Sequence, residues 1–218
     1  IYRTLTGFYV REFFRIVAVF RHILQSHDVR VLTDQMKRRR ILDLCNNDYT
    51  TLIESGTFLG ESTEYFAGHL RRVYTIEVSD MLYERARDRL SQLSNVEVIH
   101  GDSGVVLESL LARIDEPCVI YLDGHYSGGV TSHGAKKVPI YEELQHVFSH
   151  PVKNHLVIID DARCFNGKDG YPRIGDLREF IRMKAGDDHY KMSIDGDLIV
   201  LTEPGLPPSQ WAELTRSS

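Results

Sequence analysis

Three aspartates carry the clearest chemistry in this sequence of 218 residues. Asp123 follows an apolar run in Tyr121-Leu122-Asp123-Gly124-His125, and an adjacent pair follows another in Ile158-Ile159-Asp160-Asp161-Ala162-Arg163. If the two runs are neighbouring parallel strands, their carboxyl ends lie about 5 Å apart. Three carboxylates in that space repel one another unless a cation compensates them. Arg163 is the only basic residue close by in the sequence, and one guanidinium leaves a negative surplus. Three oxygen ligands, completed by waters and two substrate oxygens, would satisfy a hard divalent cation such as Mg²⁺. The alternative is that Asp160 and Asp161 cap the following loop or pair with Arg163. His125 stands two residues beyond Asp123. A neutral imidazole there can take a hydroxyl proton at neutral pH, serve as a metal ligand, or do nothing chemical; we favour the base.

A second group of residues suits a nucleoside ligand. The stretch Glu54-Ser55-Gly56-Thr57-Phe58-Leu59-Gly60-Glu61-Ser62 has two glycines four apart, GxxxG rather than the dinucleotide pattern GxGxxG. Glycines let backbone turn tightly and approach a ligand. A helix starting near Gly60 offers free N–H groups and the positive end of its dipole, with the Ser62 hydroxyl beside them. Glu77, followed by Val78, lies 21 residues past Gly56, where a carboxylate can accept both hydroxyls of a ribose. His100-Gly101-Asp102-Ser103 is placed to reach an adenine ring, although Asp102 can equally be the N-cap of the next helix.

The elements that must position these residues alternate along the chain. Short runs rich in Val, Ile and Tyr at 51–53, 73–78, 96–99, 118–122 and 155–159 read as buried parallel strands. Helical spacing of apolar residues appears at 79–93, 104–112 and 174–184, and Pro139 opens a further helix at the position where its missing N–H costs nothing. Two alternating runs at 190–194 and 197–201 flank Asp195-Gly196, a tight-hairpin signal that makes the last strand antiparallel. The expected architecture is α/β: a doubly wound, Rossmann-like sheet of seven strands with one reversed, preceded by an N-terminal helical segment. The expected division is a helical segment at 1–47 and a ligand-binding domain at 48–218. Ligands of such sheets bind beyond the carboxyl ends of the strands, where every residue named above falls.

In that order, the motifs resemble those of class I S-adenosylmethionine-dependent methyltransferases. The Glu54 to Ser62 stretch is similar to the corresponding loop of metal-dependent catechol-type O-methyltransferases. Asp123 after strand four with Asp160-Asp161 after strand five resembles both those enzymes and the sugar O-methyltransferases of macrolide and aminocoumarin biosynthesis. The resemblance covers roughly residues 48–202. It implies a cofactor site in which Glu54, Gly56, Thr57, Phe58, Gly60 and Ser62 surround the methionine part and Glu77 and Val78 the ribose. Asp102 and Ser103 would meet the adenine, with Asp123 alongside. It also implies that Asp123, Asp160 and Asp161 are the Mg²⁺ ligands and that His125 and Asp123 act on the acceptor.

Composition narrows the partners. Hydrophobic residues make up 42% of the chain and charged residues 26%, which suits a globular protein and excludes a disordered or multi-span membrane chain. The net charge of −5 offers no global basic field for nucleic acid. Three scattered cysteines (Cys45, Cys118 and Cys164) without a CxxC pair exclude a disulfide framework and indicate a reducing, cytoplasmic setting. The first forty residues are the exception, with nine Lys/Arg against three Asp/Glu and a closing run Lys37-Arg38-Arg39-Arg40. Their stretch 8–24 is apolar but interrupted by Arg11, Glu12, Arg15 and Arg21, too many charges for a membrane span. A helix packed on the domain, or on a second copy in a homodimer, is favoured there over a membrane-surface helix.

The function expected is Mg²⁺-assisted methyl transfer from S-adenosylmethionine to a hydroxyl of a small sugar-like or natural-product acceptor. Basic residues Lys136 and Lys137 in the loop at 128–137, which also holds His133, Lys168 in the loop at 164–172 and Arg173 just after it would suit an anionic or oxygen-rich acceptor. Two rivals are a non-catalytic S-adenosylmethionine-binding protein and a nucleic-acid methyltransferase using the basic first forty residues as an arm.

Overall fold

The computed structural model describes residues 32–46, 48–124, 138–186 and 190–203. The short apolar runs become strands because they can bury both faces between layers of helix. Strands β1 (Thr51–Ser55), β4 (Val119–Leu122) and β5 (Leu156–Ile159) are buried at every position. With β2 (Arg72–Glu77), β3 (Val96–His100), β6 (Lys191–Asp195) and β7 (Leu198–Thr202) they form one sheet in the order β3-β2-β1-β4-β5-β7-β6. The first five strands are parallel, and β7 runs antiparallel to both β5 and β6. This is the seven-stranded sheet with one reversed strand expected from the sequence. The strand order turns back between β1 and β4, and ligands of such sheets bind at the carboxyl ends of the strands beside that switch point.

Alternation along each strand sends side chains to two cores. On one face, Ile53, Ile120, Val157 and Ile199 meet α4 (Ser103–Leu111), α5 (Ile140–Ser149) and α6 (Ile174–Ala185) through Leu107, Leu144 and Leu177. On the other, Leu52, Val119, Ile158 and Val200 meet α1 (Asp34–Cys45) and α2 (Glu61–Ala67) through Ile41, Cys45 and Phe66. Helix α3 (Asp80–Leu90) packs beside β2 and β3. Helix α1 therefore belongs to the same core as the sheet, although it lies within the segment at 1–47 that the sequence sets apart. The apolar stretch at 8–24 lies outside the described residues. No helix among the described residues is long and apolar enough to cross a membrane.

One boundary differs in a way that matters for the site. The hairpin turn was expected at Asp195-Gly196, but Asp195 pairs with Leu198, so Gly196 and Asp197 are the turn residues. Gly196 adopts φ 61°, as the tight turn requires, and Asp197 is carried inward and fully buried rather than continuing the strand.

At the opposite edge of the sheet, His155 leads into β5 with no exposed surface. Its Nδ1 accepts the Cys118 N–H at 3.2 Å, and its Nε2 lies 3.0 Å from Nδ1 of His150. Burial pushes its pKa down to about 4. The unfolded chain takes up a proton near pH 6.5 while the folded one stays neutral, so this contribution is intact above that pH and is lost on acidification toward pH 4. Urea denaturation should show the native protein losing roughly 2 kcal/mol relative to a His155→Gln variant between pH 7 and pH 5.

Candidate active site

The residues expected to hold a nucleoside converge at the carboxyl ends of β1 to β4. Gly56, at φ 87°, carries the chain from β1 onto the end of β4. A Cβ there would lie 2.6 Å from the Asp123 carbonyl oxygen, so no side chain fits. The N–H groups of Gly56 and Thr57 donate to the Ile76 carbonyl, and the Thr57 and Thr75 hydroxyls share a 2.7 Å hydrogen bond. Phe58 is left-handed at φ 52° with its ring exposed. Its N–H donates to Glu77 Oε2 at 2.8 Å, while the Ser79 N–H donates to Glu77 Oε1 at 2.9 Å. The buried Glu77 thus clamps the loops after β1 and β2, and each of its oxygens retains a second lone pair for a ligand hydroxyl. Val78 follows, half-buried.

Several of these residues have local duties. Gly60 is the N-cap of α2 at φ 77°, and Ser62 lies in the helix's first turn with Glu61 and Glu64, whose charges already meet the positive helix end. Glu54 is enclosed, accepting from the Thr63 hydroxyl at 2.5 Å and the Thr75 hydroxyl at 3.0 Å, with burial pushing its pKa up to about 7. Asp102 is the N-cap of α4, accepting the Gly104 N–H at 3.0 Å, so the capping alternative is realised. Ser103 is buried under the chain leaving β4, where a Cβ on Gly124 would lie 3.3 Å from the Ser103 hydroxyl.

The acidic residues also converge, but with different company from that expected. Asp160 is buried, and its Oδ2 accepts the Tyr121 hydroxyl at 2.7 Å; the same hydroxyl lies 3.4 Å from Asp123 Oδ2. Asp161 is left-handed at φ 57°, and its N–H donates to Asp160 Oδ1 at 2.6 Å. Into this group comes Lys37 from α1, itself buried. Its Nζ lies 2.5 Å from Asp160 Oδ1, 3.0 Å from Asp161 Oδ1 and 3.6 Å from Asp197 Oδ2. Arg163 pairs with Asp161 at 2.8 Å and also with Asp197.

These contacts set the protonation preferences. Burial pushes Asp123 well above the usual carboxylate range, and the charges of Asp160 and Asp161 push it further. Asp160 is also raised, by burial and by Asp161, against the pull of Lys37. Burial would raise Asp161 as well, but Lys37 and Arg163 together reverse that and hold it below the usual range. For Lys37, burial favours the neutral amine, yet Asp160 and Asp161 outweigh it and keep the ammonium.

The premise for a metal therefore changes. Arg163 is not the sole compensating cation, because α1 supplies a second from 123 residues upstream of Asp160. The donors are hard oxygens, the type Mg²⁺ prefers. Single oxygens of Asp160, Asp161 and Asp197 lie within 4.8 Å of one another, and Asp123 is not one of that set. The ammonium sits within 3.6 Å of all three. As arranged, these side chains fit an ammonium ion rather than a metal. His125, His133, Lys136 and Lys137 lie outside the described residues.

Sequence reasoning missed Lys37, Asp197 and Tyr121. Lys37 sits in a basic run that reads only as the end of a charged segment, and Asp197 in what reads as a strand. The one available signal was apolar spacing in α1, since Ile41 and Cys45 lie four and eight residues beyond Lys37 on one helical face. The glycine contact gives a direct test. Gly56→Ala should cost at least about 1–2 kcal/mol in chemical denaturation, from the left-handed backbone alone. Gly175→Ala, in α6 with no neighbour within 4 Å of its added Cβ, should instead stabilise by roughly 0.5–1 kcal/mol.

No protein-family model matches the sequence. Two curated relatives are both ribosomal RNA small subunit methyltransferase A. That of Syntrophus aciditrophicus is 25% identical over 146 residues, 63% of this chain and 46% of its own length. That of Oceanobacillus iheyensis is 30% identical over 92 residues, 42% of this chain and 28% of its own. The chain thus spans less than half the length of these curated relatives. Among solved structures, an O-methyltransferase from Bacillus cereus in complex with S-adenosylhomocysteine superposes with a TM-score of 0.56 at 18% identity, covering 85% of this chain and 86% of that one. The O-methyltransferase TomG from Streptomyces achromogenes, in complex with S-adenosylmethionine, superposes with a TM-score of 0.52 at 19% identity, covering 83% of each chain. With the strand order and the reversed β7, these likenesses establish that the chain has the fold of the class I S-adenosylmethionine-dependent methyltransferases.

Proposed function

We propose that the protein transfers a methyl group from S-adenosylmethionine to a hydroxyl oxygen of a small, oxygen-rich acceptor. The observation that carries this reading is the junction at Gly56. There the loop clamped by Glu77 lies directly on the end of β4, so Glu77 and the Asp123–Asp160 carboxylates stand at one sheet edge, which supports a nucleoside and an acceptor held side by side. When bound, S-adenosylmethionine supplies an electrophilic methyl group on its sulfonium. Glu77 holds the ribose hydroxyls with the lone pairs left by its two backbone bonds. Asp102 and Ser103, at the start of α4, border the adenine. Asp123 orients the acceptor hydroxyl, and His125, next along the chain but for one glycine, takes its proton. Positioning supplies much of the rate for such an in-line displacement. Mg²⁺ has no part in this scheme, because Lys37 stands among the carboxylates that would hold it.

The rRNA methyltransferase relatives favour a second reading, methylation of RNA. Against it stands the placement of the basic run. Lys37 is buried among aspartates, Arg38 lies beside Glu61 and over the Tyr65 ring, and Arg40 pairs with Asp195. Of the four residues, Arg39 alone remains exposed without a described partner. RNA binding needs such cations free for phosphates.

Two measurements check the reading. In calorimetry, Glu77→Gln should weaken S-adenosylhomocysteine binding at least about tenfold, a loss of roughly 1.4 kcal/mol. Unchanged affinity would remove the ribose assignment. With labelled S-adenosylmethionine, label should pass to saccharide or phenolic hydroxyls and not to ribosomal RNA; salt-sensitive labelling of RNA instead would establish the second reading.

A further inference from the structure

We propose that Lys37 is a built-in cation that takes the place of a divalent metal at the carboxylates of Asp160, Asp161 and Asp197. One oxygen from each aspartate lies within 4.8 Å of the others, and the Lys37 ammonium lies 2.5, 3.0 and 3.6 Å from the three residues. An ammonium is a compact charge with three N–H donors and can face three acceptors at once.

Lys37 is delivered there by structure that does not depend on its own ion pairs. Ile41 and Cys45 anchor α1 in the core, Arg40 pairs with Asp195 on the hairpin, and the Leu32 side chain presses on Gly196. Asp161 holds a left-handed backbone that non-glycine residues seldom adopt, and its carboxylate meets both Lys37 and Arg163. Tyr121 turns its hydroxyl to the other oxygen of Asp160, and Arg163 closes the side toward Asp197. Each aspartate of the set thus faces a protein cation. The active-site edge of this chain has its positive charge within the polypeptide, and α1 is a working part of that edge.

Mn²⁺ binding by the full chain, read by electron paramagnetic resonance and competed with Mg²⁺, tests this without any turnover, so its outcome is separate from that of the methyl-transfer reading. The native protein should show no saturable site below about 1 mM, and Lys37→Arg, which keeps the charge, should show none either. Lys37→Gln should open a site that binds Mn²⁺ at least about tenfold more tightly, and adding Asp161→Asn should abolish the gain. A saturable native site that Asp161→Asn removes would overturn the proposal, as would a folded Lys37→Gln protein that gains no affinity. If Lys37→Gln does not fold, the native protein and Lys37→Arg decide: a saturable site in either that Asp161→Asn removes overturns the proposal, and the absence of such a site from both supports it.

Discussion

A buried ammonium among aspartates is the interaction on which the active-site end of this molecule depends. Lys37 reaches from α1 into a space bounded by the end of β5 and by the turn between β6 and β7. Taking such charges out of water is costly, and the cost is recovered only when each charge meets its partners at good geometry. Removing one member of a buried ion group of this kind typically costs about 3–5 kcal/mol, since the others are left uncompensated. Lys37 and Arg163 together hold Asp161 ionised in its left-handed conformation and accommodate Asp197 in a site with no exposed surface. The helix, the strand end and the hairpin turn are thereby tied into one unit.

That unit continues through β4 to the residues proposed to hold a nucleoside. Tyr121 touches Asp160 and Asp123 with one hydroxyl, and the Asp123 backbone packs against Gly56 in the loop that follows β1. Glu77 then fixes the same loop from β2 through the Phe58 N–H. The doubly wound order makes this chain of contacts short. Because β4 lies between β1 and β5, residues far apart in sequence share one strand edge. Glycine at position 56 is what allows the two halves to touch.

The charge distribution takes a different meaning in three dimensions. A net acidic protein with a basic leading segment leaves an arm for an anionic partner open as the rival to a helix packed on the domain. In the folded chain, the end of that segment finds its acids within the same molecule, at Asp160, Asp161, Asp195, Asp197 and Glu61. The basic run is matched to acidic residues of the domain it precedes, which favours intramolecular docking of α1 over a free cationic arm.

The sequence by itself determined the strands, their near-limits, the reversed strand, the glycine loop and the acids that end β2, β4 and β5. These are local properties: apolar alternation, turn residues and the position of an acid after an apolar run. It also pointed to positive charge at Asp123, Asp160 and Asp161; Asp160 and Asp161 meet Lys37, whereas Asp123 lies outside that set and Asp197 takes its place. What supplies that charge was decided only by tertiary structure. Lys37 lies 123 residues from Asp160, in a run of four basic residues that local chemistry does not distinguish. Only the docking of Ile41 and Cys45 against the sheet selects which of the four points inward. Asp197 was hidden for a related reason. A shift of one residue in the hairpin register moves a side chain between solvent and interior, and the register answers to the pairing of β6 with β7 rather than to the Asp-Gly pair alone.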